Sequence, residues 1–380
     1  GRRRQQQSSQ RHTAAATKGP STATQLQCQL LGMNCATPTD FTFSLQGFHR
    51  RGGGTDIHSD GWGIAFYQDK GLRQFHDVEA AATSSLADYL SRNPIRTLNM
   101  MGHIRYATVG NVDLANVHPF SREMWGMQWC FCHNGEVPYF KQHEQTNGSD
   151  NSDGSEGAKS RTSTLQQLTS LIDDDDEDAH TCTVEAYYSP IGTTDSEAAF
   201  CSILNALRSK FQTLPRLPVL YEAIQSLANE IVVHDPDGTI FNFLLTCGQY
   251  TQFAYSWPGS RPGSKVWNGL YYTVRQHPFT QHCQLQDIDY SVDFSVLTTD
   301  QDRVAVIATA PLTYEEEWIE FERGQLILFD DGKPHDDVSE MFRIEMEGHG
   351  LNSDVLPKTV LEEDMRQYNI DPEIYLGGGI

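Results

Sequence analysis

The chain predicts an α+β fold in which two stacked sheets are flanked by helices. Two observations carry that expectation. Short runs rich in Val, Ile, Phe, Tyr and Trp, bounded by Gly, Pro, Asn or Asp, occur in clusters, as strands do. Helical patterns fall between these clusters and do not alternate with single strands, so a regular βαβ succession is not expected.

Taken in order, the strand-like runs are Gly61–Tyr67, Met100–Ile104, Gln128–His133, Ile240–Thr246, Gly269–Val274, Val304–Ala310 and Gln325–Phe329. Helical patterns span Ala80–Ser91, Asp195–Phe211 and Val219–Val233; in the second, Ala199, Leu204 and Leu207 fall near one face. Three stretches lack a core pattern. Residues 1–27 are rich in Arg, Gln, Ser, Thr and Ala and hold no acid. Residues 142–180 are polar and end in Asp173–Asp178, all acidic, so a disordered or surface insertion is expected, either a solvated loop or an acidic docking segment. The third is a polar tail, 346–380. The compact domain is therefore expected to occupy 28–345. The first residue is Gly1, which suits a fragment, a processed product or an imperfect gene model. The composition of 1–27 suits a transit peptide, a disordered tail or a mistranslated stretch alike.

Composition narrows the function classes. With 380 residues and 38% apolar content, the chain can bury one large core or two modest ones. A net charge of −22 argues against a nucleic-acid partner, because a phosphate backbone would be repelled. No apolar run is long enough to span a bilayer. None of the eight cysteines forms a Cys-x-x-Cys pair, so neither a zinc ribbon nor a redox motif is expected, and a reducing, cytoplasmic compartment is the default. Organelle import would follow if 1–27 were a transit peptide.

Four distant motifs bring together the parts needed to attack an amide carbonyl. Cys28 opens Cys-Gln-Leu-Leu-Gly-Met; Arg105 ends His103-Ile-Arg; Asn134 and Gly135 follow His133; Asp195 stands in Thr194-Asp-Ser-Glu197. A thiolate is a good nucleophile, yet a free cysteine is only a few per cent ionised at neutral pH and needs a base. A tetrahedral intermediate needs fixed donors for its oxyanion. Asn134 carries a side-chain N–H, and Gly135 has no side chain to block its backbone N–H. Read locally, each piece is ordinary. Asn-Gly is a hairpin signal. Asp195 could cap a helix, Arg105 could lie on the surface, and Cys28 could be a buried strand cysteine. Cys130, Cys132 and His133 suggest a metal site, but in a strand the first two share one face and His133 points the other way. Gly52–Gly54 lacks the Gly-Lys-Ser/Thr of a phosphate loop, so a mobile turn bordering the cleft is expected.

The order of the motifs carries more than any one of them. Cys-x-Leu-Leu-Gly, Asp60-Gly-Trp-Gly63, Gly102-His-Ile-Arg-Tyr-Ala-Thr108, Asn116-x-His-Pro-Phe120, His133-Asn-Gly and Thr194-Asp-Ser-Glu197 occur in the order seen in the class II, or N-terminal-nucleophile (Ntn), glutamine amidotransferases. The chain most resembles their compact stand-alone bacterial type. It is more distantly similar to the amidotransferase-like subunit of glutathione-degrading complexes. Val306–Thr313, followed by Glu317-Trp318, resembles the end of that fold, so the resemblance covers roughly residues 28–335.

The resemblance implies a four-layer αββα sandwich of mainly antiparallel sheets and cleavage of a γ-glutamyl amide, glutamine by default, through a cysteinyl thioester with release of ammonia. It implies Cys28 as nucleophile, Asn134 and Gly135 as the oxyanion hole, and Arg105, His118 and Asp195 as glutamine contacts. The bidentate fork of Arg105 suits the substrate carboxylate, and Asp195 suits its ammonium. No cofactor is implied. The expected partner is the small-molecule substrate, with a separate ammonia acceptor or partner subunit where the product is passed on. A γ-glutamyl peptide hydrolase subunit is an alternative. One departure stands out. The family's cysteine is the first residue of the mature chain, and its α-amine, with a pKa of about 7.7–8.0, serves as the base. Here 27 residues precede Cys28. If they are retained, a non-catalytic glutamine-binding protein is the reading left.

Overall fold

The computed structural model describes residues 28–107, 111–141, 186–261, 263–264 and 266–346. The expected head 1–27 and acidic insertion 142–180 lie outside these residues, as does the tail expected at 346–380 apart from Met346.

In chain order, the first half holds β1 (Gln29–Asp40), α1 (Thr42–Arg50), β2 (Trp62–Gln68), β3 (Gly71–Asp77), α2 (Ser85–Arg92), β4 (Arg96–Ile104), β5 (Phe120–Met124), β6 (Met127–Glu136) and α3 (Pro138–Lys141). Then follow α4 (Asp195–Lys210), α5 (Leu217–Val233), β7 (Ile240–Cys247), β8 (Thr251–Trp257), β9 (Tyr271–Gln276), β10 (Cys283–Gln284), β11 (Ser291–Val292) and α6 (Phe294–Leu297). The last elements are β12 (Arg303–Ala308), β13 (Ile319–Glu320), β14 (Gln325–Asp330), β15 (Lys333–His335) and α7 (Val338–Met346). One sheet has the order β13-β9-β12-β1-β4-β2-β3 and the other β15-β14-β8-β7-β6-β5. The pairings within both are antiparallel.

Each sheet is covered on its outer face by helices, and the inner faces meet. Leu31, Met33, Ile64, Phe66, Met100 and Val306 pack with α1 and α2. Phe131, Phe241, Phe243 and Phe253 pack with α4 and α5. Between the sheets lies a thinner layer of Leu30, Ala65, Met101, Cys130, Cys132, Leu244, Ala254 and Ile307. This is the expected αββα arrangement.

β1 escapes a pattern reading because it is central and buried on both faces. Leu30 points between the sheets and Leu31 toward the helices, so no apolar–polar alternation remains. β8 is missed for a related reason. Thr251, Gln252 and Ser256 are polar, yet all three are fully buried. Thr251 and Gln252 belong to a set of polar contacts that stitch the sheets together. Asn34 Nδ2 donates to Tyr250 O (2.6 Å), Asn99 Nδ2 to Thr251 O (2.9 Å) and Gln252 Nε2 to Met100 O (3.2 Å).

The helices begin where their caps are. The pattern at Ala80–Ser91 forms a helix only from Ser85, because Ser84 Oγ accepts the N–H of Ala87. α4 is capped by Thr194, whose Oγ1 accepts Glu197 N–H at 3.2 Å, so Asp195 is not the cap. Acids in its first turn and bases in its last suit the helix dipole. α5 carries a proline in its first turn, where a missing N–H is harmless. The Gly52–Gly54 turn, expected to be mobile, is held by bonds from Gly52 N to His49 O and from Ala82 N to Gly52 O.

Gly32 lets the sheets approach. A Cβ there would lie 2.9 Å from Leu244 Cδ1 and 3.1 Å from the Gln252 carboxamide. Gly32→Val is therefore expected to destabilise the fold by about 1–3 kcal/mol through overpacking, read as a lower midpoint of thermal or chemical unfolding.

Candidate active site

Cys28 directly precedes β1, and the register of β1 decides what it faces. Gln29 pairs with Ile104 of β4 and Leu31 with Ala308 of β12. Continuing that register sets Cys28 beside the end of β4, where Arg105 and Tyr106 begin. Tyr106 N–H donates to Cys28 Sγ at 3.3 Å, and the thiol lies 3.6 Å from Tyr106 O. The strand start is pinned by Thr309. Leu30 N donates to Thr309 Oγ1 (3.2 Å), which donates to Gln29 Oε1 (2.7 Å), and Thr309 N donates to Leu30 O.

Asp60 and Gly61 hold the other side of Arg105. Arg105 N donates to Gly61 O (2.8 Å), Asp60 N donates to Arg105 O, and Asp60 Oδ2 accepts Ala107 N–H at 2.8 Å. The Arg105 residue is 3% exposed, and its Nη1 donates to Asn111 O.

On the second sheet, Asn134 and Gly135 lie at the end of β6. They pair with Asn242 and Phe241 of β7 and do not form a hairpin turn. Gly135 has φ +148°, and a Cβ there would sit 1.8 Å from Ile240 O, so only glycine fits. His133 anchors this strand end. Its Nε2 bonds Ile240 O (3.1 Å) and its Nδ1 bonds Ser196 Oγ (2.8 Å), a pairing met when Nε2 carries the proton. Asp195, beside Ser196, accepts Val137 N–H on Oδ2 at 2.9 Å. Cys130 and Cys132 point into the inter-sheet layer, away from His133, as strand alternation requires.

Charge links the two sheets at this point. Burial pushes the Cys28 thiol above its ordinary pKa. The Tyr106 N–H and the positive charges of Arg261 and Arg105 oppose that rise, and Asp195 adds to it. Burial lowers the Arg105 pKa, against the pull of Cys28 and Asp60. Cys28, Arg105 and Asp195 therefore share one electrostatic environment.

Arg261 was not legible from sequence. It stands in Pro258-Gly-Ser-Arg-Pro-Gly263, which reads as a turn, and its Nε lies 3.6 Å from Glu136 Oε2. Asn268 was missed too; its only signal is the Asn268-Gly269 pair, yet its carboxamide bonds Asn134 reciprocally.

His118 lies on the buried side of this group, where the charge of Arg105 reaches it. Its ring is tilted against those of His103 (centroids 4.1 Å apart) and Phe120 (4.4 Å), and neither ring nitrogen has a hydrogen-bond partner among the described residues.

Comparison with known proteins gives the family of the chain. The model of the class-II glutamine amidotransferase family matches residues 27–154 and 174–349. A Haemophilus influenzae protein provisionally named a glutamine amidotransferase is 37% identical over 308 residues, covering 81% of this chain and 86% of that protein. Escherichia coli YafJ, which bears the same provisional name, is 35% identical over 303 residues, covering 80% of this chain and 97% of that protein. A 2.0 Å crystal structure of a predicted glutamine amidotransferase from Pseudomonas aeruginosa superposes with a TM-score of 0.52 at 32% identity, covering 81% of this chain and 99% of that one.

The histidines beside the site make stability depend on pH. Burial first, then Arg105, holds His103 well below its ordinary value; burial first, then His103, does the same for His118. Both are neutral in the native state, while the unfolded chain protonates them near 6.5. Below that pH the unfolded state binds more protons, so stability falls as pH falls. The melting temperature is expected to decline from about pH 7.5 to about pH 5.5, with a shallower slope in His118→Phe. An unchanged slope in that variant would count against the buried-histidine account.

Proposed function

The chain belongs to the class-II glutamine amidotransferases, an enzyme family, and on that premise we propose that it cleaves a γ-glutamyl amide, glutamine by default, with Cys28 as nucleophile. The observation that carries this reading is the setting of Cys28. Its sulfur accepts the Tyr106 N–H at 3.3 Å and shares the charges of Arg261, Arg105 and Asp195.

In the proposed reaction the working protein begins at Cys28. Its free α-amine takes the thiol proton, directly or through a water. Sγ attacks the side-chain carbonyl carbon of glutamine. The oxyanion that forms is met by Asn134 Nδ2–H and Gly135 N–H. The α-ammonium returns its proton to the leaving nitrogen, the C–N bond breaks, and ammonia departs. Water then attacks the γ-glutamyl thioester, restoring the thiol and releasing glutamate. Glutamine and water thus give glutamate and ammonia.

The charged groups divide the remaining work. Arg105 grips the substrate carboxylate and Asp195 its ammonium, both opposite in sign to their targets. His118 lies against His103, which is two residues before Arg105, and its proposed part is to support that strand end from within. Burial raises the thiol pKa, which makes a nearby base necessary. An internal Cys28 has no amine to offer, so removal of residues 1–27 is part of the proposal.

Two experiments test it. Cys28→Ala is expected to release no ammonia from glutamine, while intact-mass analysis of active wild-type protein finds Cys28 as the first residue. Activity in that variant, or full activity in molecules that all retain Gln27, overturns the mechanism. Arg105→Ala and Asp195→Asn are each expected to raise KM roughly 10- to 100-fold, the loss of one charge-assisted contact. A change confined to kcat would reassign them.

A further inference from the structure

The oxyanion hole proposed above needs a carboxamide that does not move, and an asparagine side chain is a broad rotor at its last torsion. We infer that Asn268 is a positioning residue that locks Asn134 for the oxyanion; this rests on the reading of the site as an amidohydrolase. Asn134 Nδ2 donates to Asn268 Oδ1 at 2.7 Å, and Asn268 Nδ2 donates back to Asn134 Oδ1 at 3.1 Å. Two bonds between the same two amide groups fix the Asn134 plane as one bond would not. They use one of the two Nδ2 protons and leave the second for a ligand.

Asn268 is itself held by its backbone. Gly259 N donates to Asn268 O at 3.1 Å and Asn268 N to Gly259 O at 2.9 Å. Asn242 Nδ2 donates to both Asn134 O (3.3 Å) and Asn268 O (3.2 Å), and its Oδ1 accepts Ser256 Oγ–H at 2.8 Å. Asn134, Asn268, Asn242 and Ser256 are 1%, 2%, 0% and 0% exposed. In such a dry site each bond polarises the next. Donation into Asn134 Oδ1 makes its remaining N–H a better donor.

The chemistry also explains the residue type. At neutral pH a carboxamide offers an uncharged donor and acceptor on the same planar group, as an ionised carboxylate does not. A carboxylate at 268 would accept from Asn134 but repel its Oδ1, and it would place negative charge beside the developing oxyanion.

The test is steady-state ammonia release from glutamine by wild type, Asn268→Ala, Asn268→Asp, Asn134→Ala and the Asn134→Ala/Asn268→Ala double variant, with melting curves for each. Asn134→Ala is expected to lower kcat about 10²–10³-fold, and Asn268→Ala about 10–100-fold with KM within about 3-fold. The double variant should be no slower than Asn134→Ala alone. In Asn268→Asp, which is nearly isosteric and guards against a folding failure of the alanine variant, the deficit relative to wild type should shrink as pH falls, because a protonated buried carboxyl regains a donor. Asn268 variants with wild-type kcat, or losses that multiply with that of Asn134→Ala, overturn the inference and leave the amidohydrolase reading standing. Wild-type protein without Cys28-dependent turnover overturns both.

Discussion

The register of β1 is the constraint on which the rest depends. Gln29 faces Ile104 on one side, and Leu31 faces Ala308 on the other. A slip of one residue would exchange Leu30 and Leu31 between the inter-sheet layer and the helix layer, and would turn Cys28 with them. The slip is opposed from three directions. Gly32 is the one residue small enough to stand against Leu244 and Gln252. Asn34 reaches across to Tyr250 O and also accepts Gly332 N–H. Thr309 ties both Gln29 and Leu30. Cys28 therefore extends from a strand whose position is over-determined, and this holds whether or not a peptide bond precedes it.

The inter-sheet layer is built in an unusual way for a core. Its apolar part is small, with alanine and cysteine in several places. Carboxamides carry much of the contact, each bonded to main chain of the opposite sheet. A buried carboxamide left unpaired costs about 1–3 kcal/mol, so each such bond penalises any sheet arrangement that breaks it. The same device appears at the mouth of the layer, where Asn134, Asn268 and Asn242 bond one another. Rigidity in the core and preorganisation at the site have one physical origin here.

Most of the proposed site is named by residues that are few, polar and set in distinctive neighbourhoods. Cys28, Arg105, Asn134, Gly135 and Asp195 each stand beside a glycine, a strand end or a helix start that the chain announces locally. For His118 the structure adds the surroundings. A histidine in Asn116-Val-His-Pro-Phe120 looks available to a ligand, but its ring is enclosed against His103 and Phe120. Arg261 and Asn268 were not legible because they come from the segment between β8 and β9, far along the chain, and only the closing of that segment over β6 brings Asn268 to Asn134. Among the strands, β1 and β8 were missed because burial on both faces, or buried polar residues, erased the alternation that marks an exposed sheet.

The sequence by itself determined the family and the two-sheet architecture. Those follow from residue chemistry and from the order of motifs along the chain. Tertiary structure alone decided which groups share a field. Cys28 meets Tyr106 N–H and the charge of Arg261, Asn134 acquires Asn268 as its partner, and His118 is withdrawn into the interior. The reason is distance along the chain. Cys28 and Arg261, or Asn134 and Asn268, are too far apart for any local pattern to couple them, and only the folding of the segment between β8 and β9 over the strand ends brings them within reach.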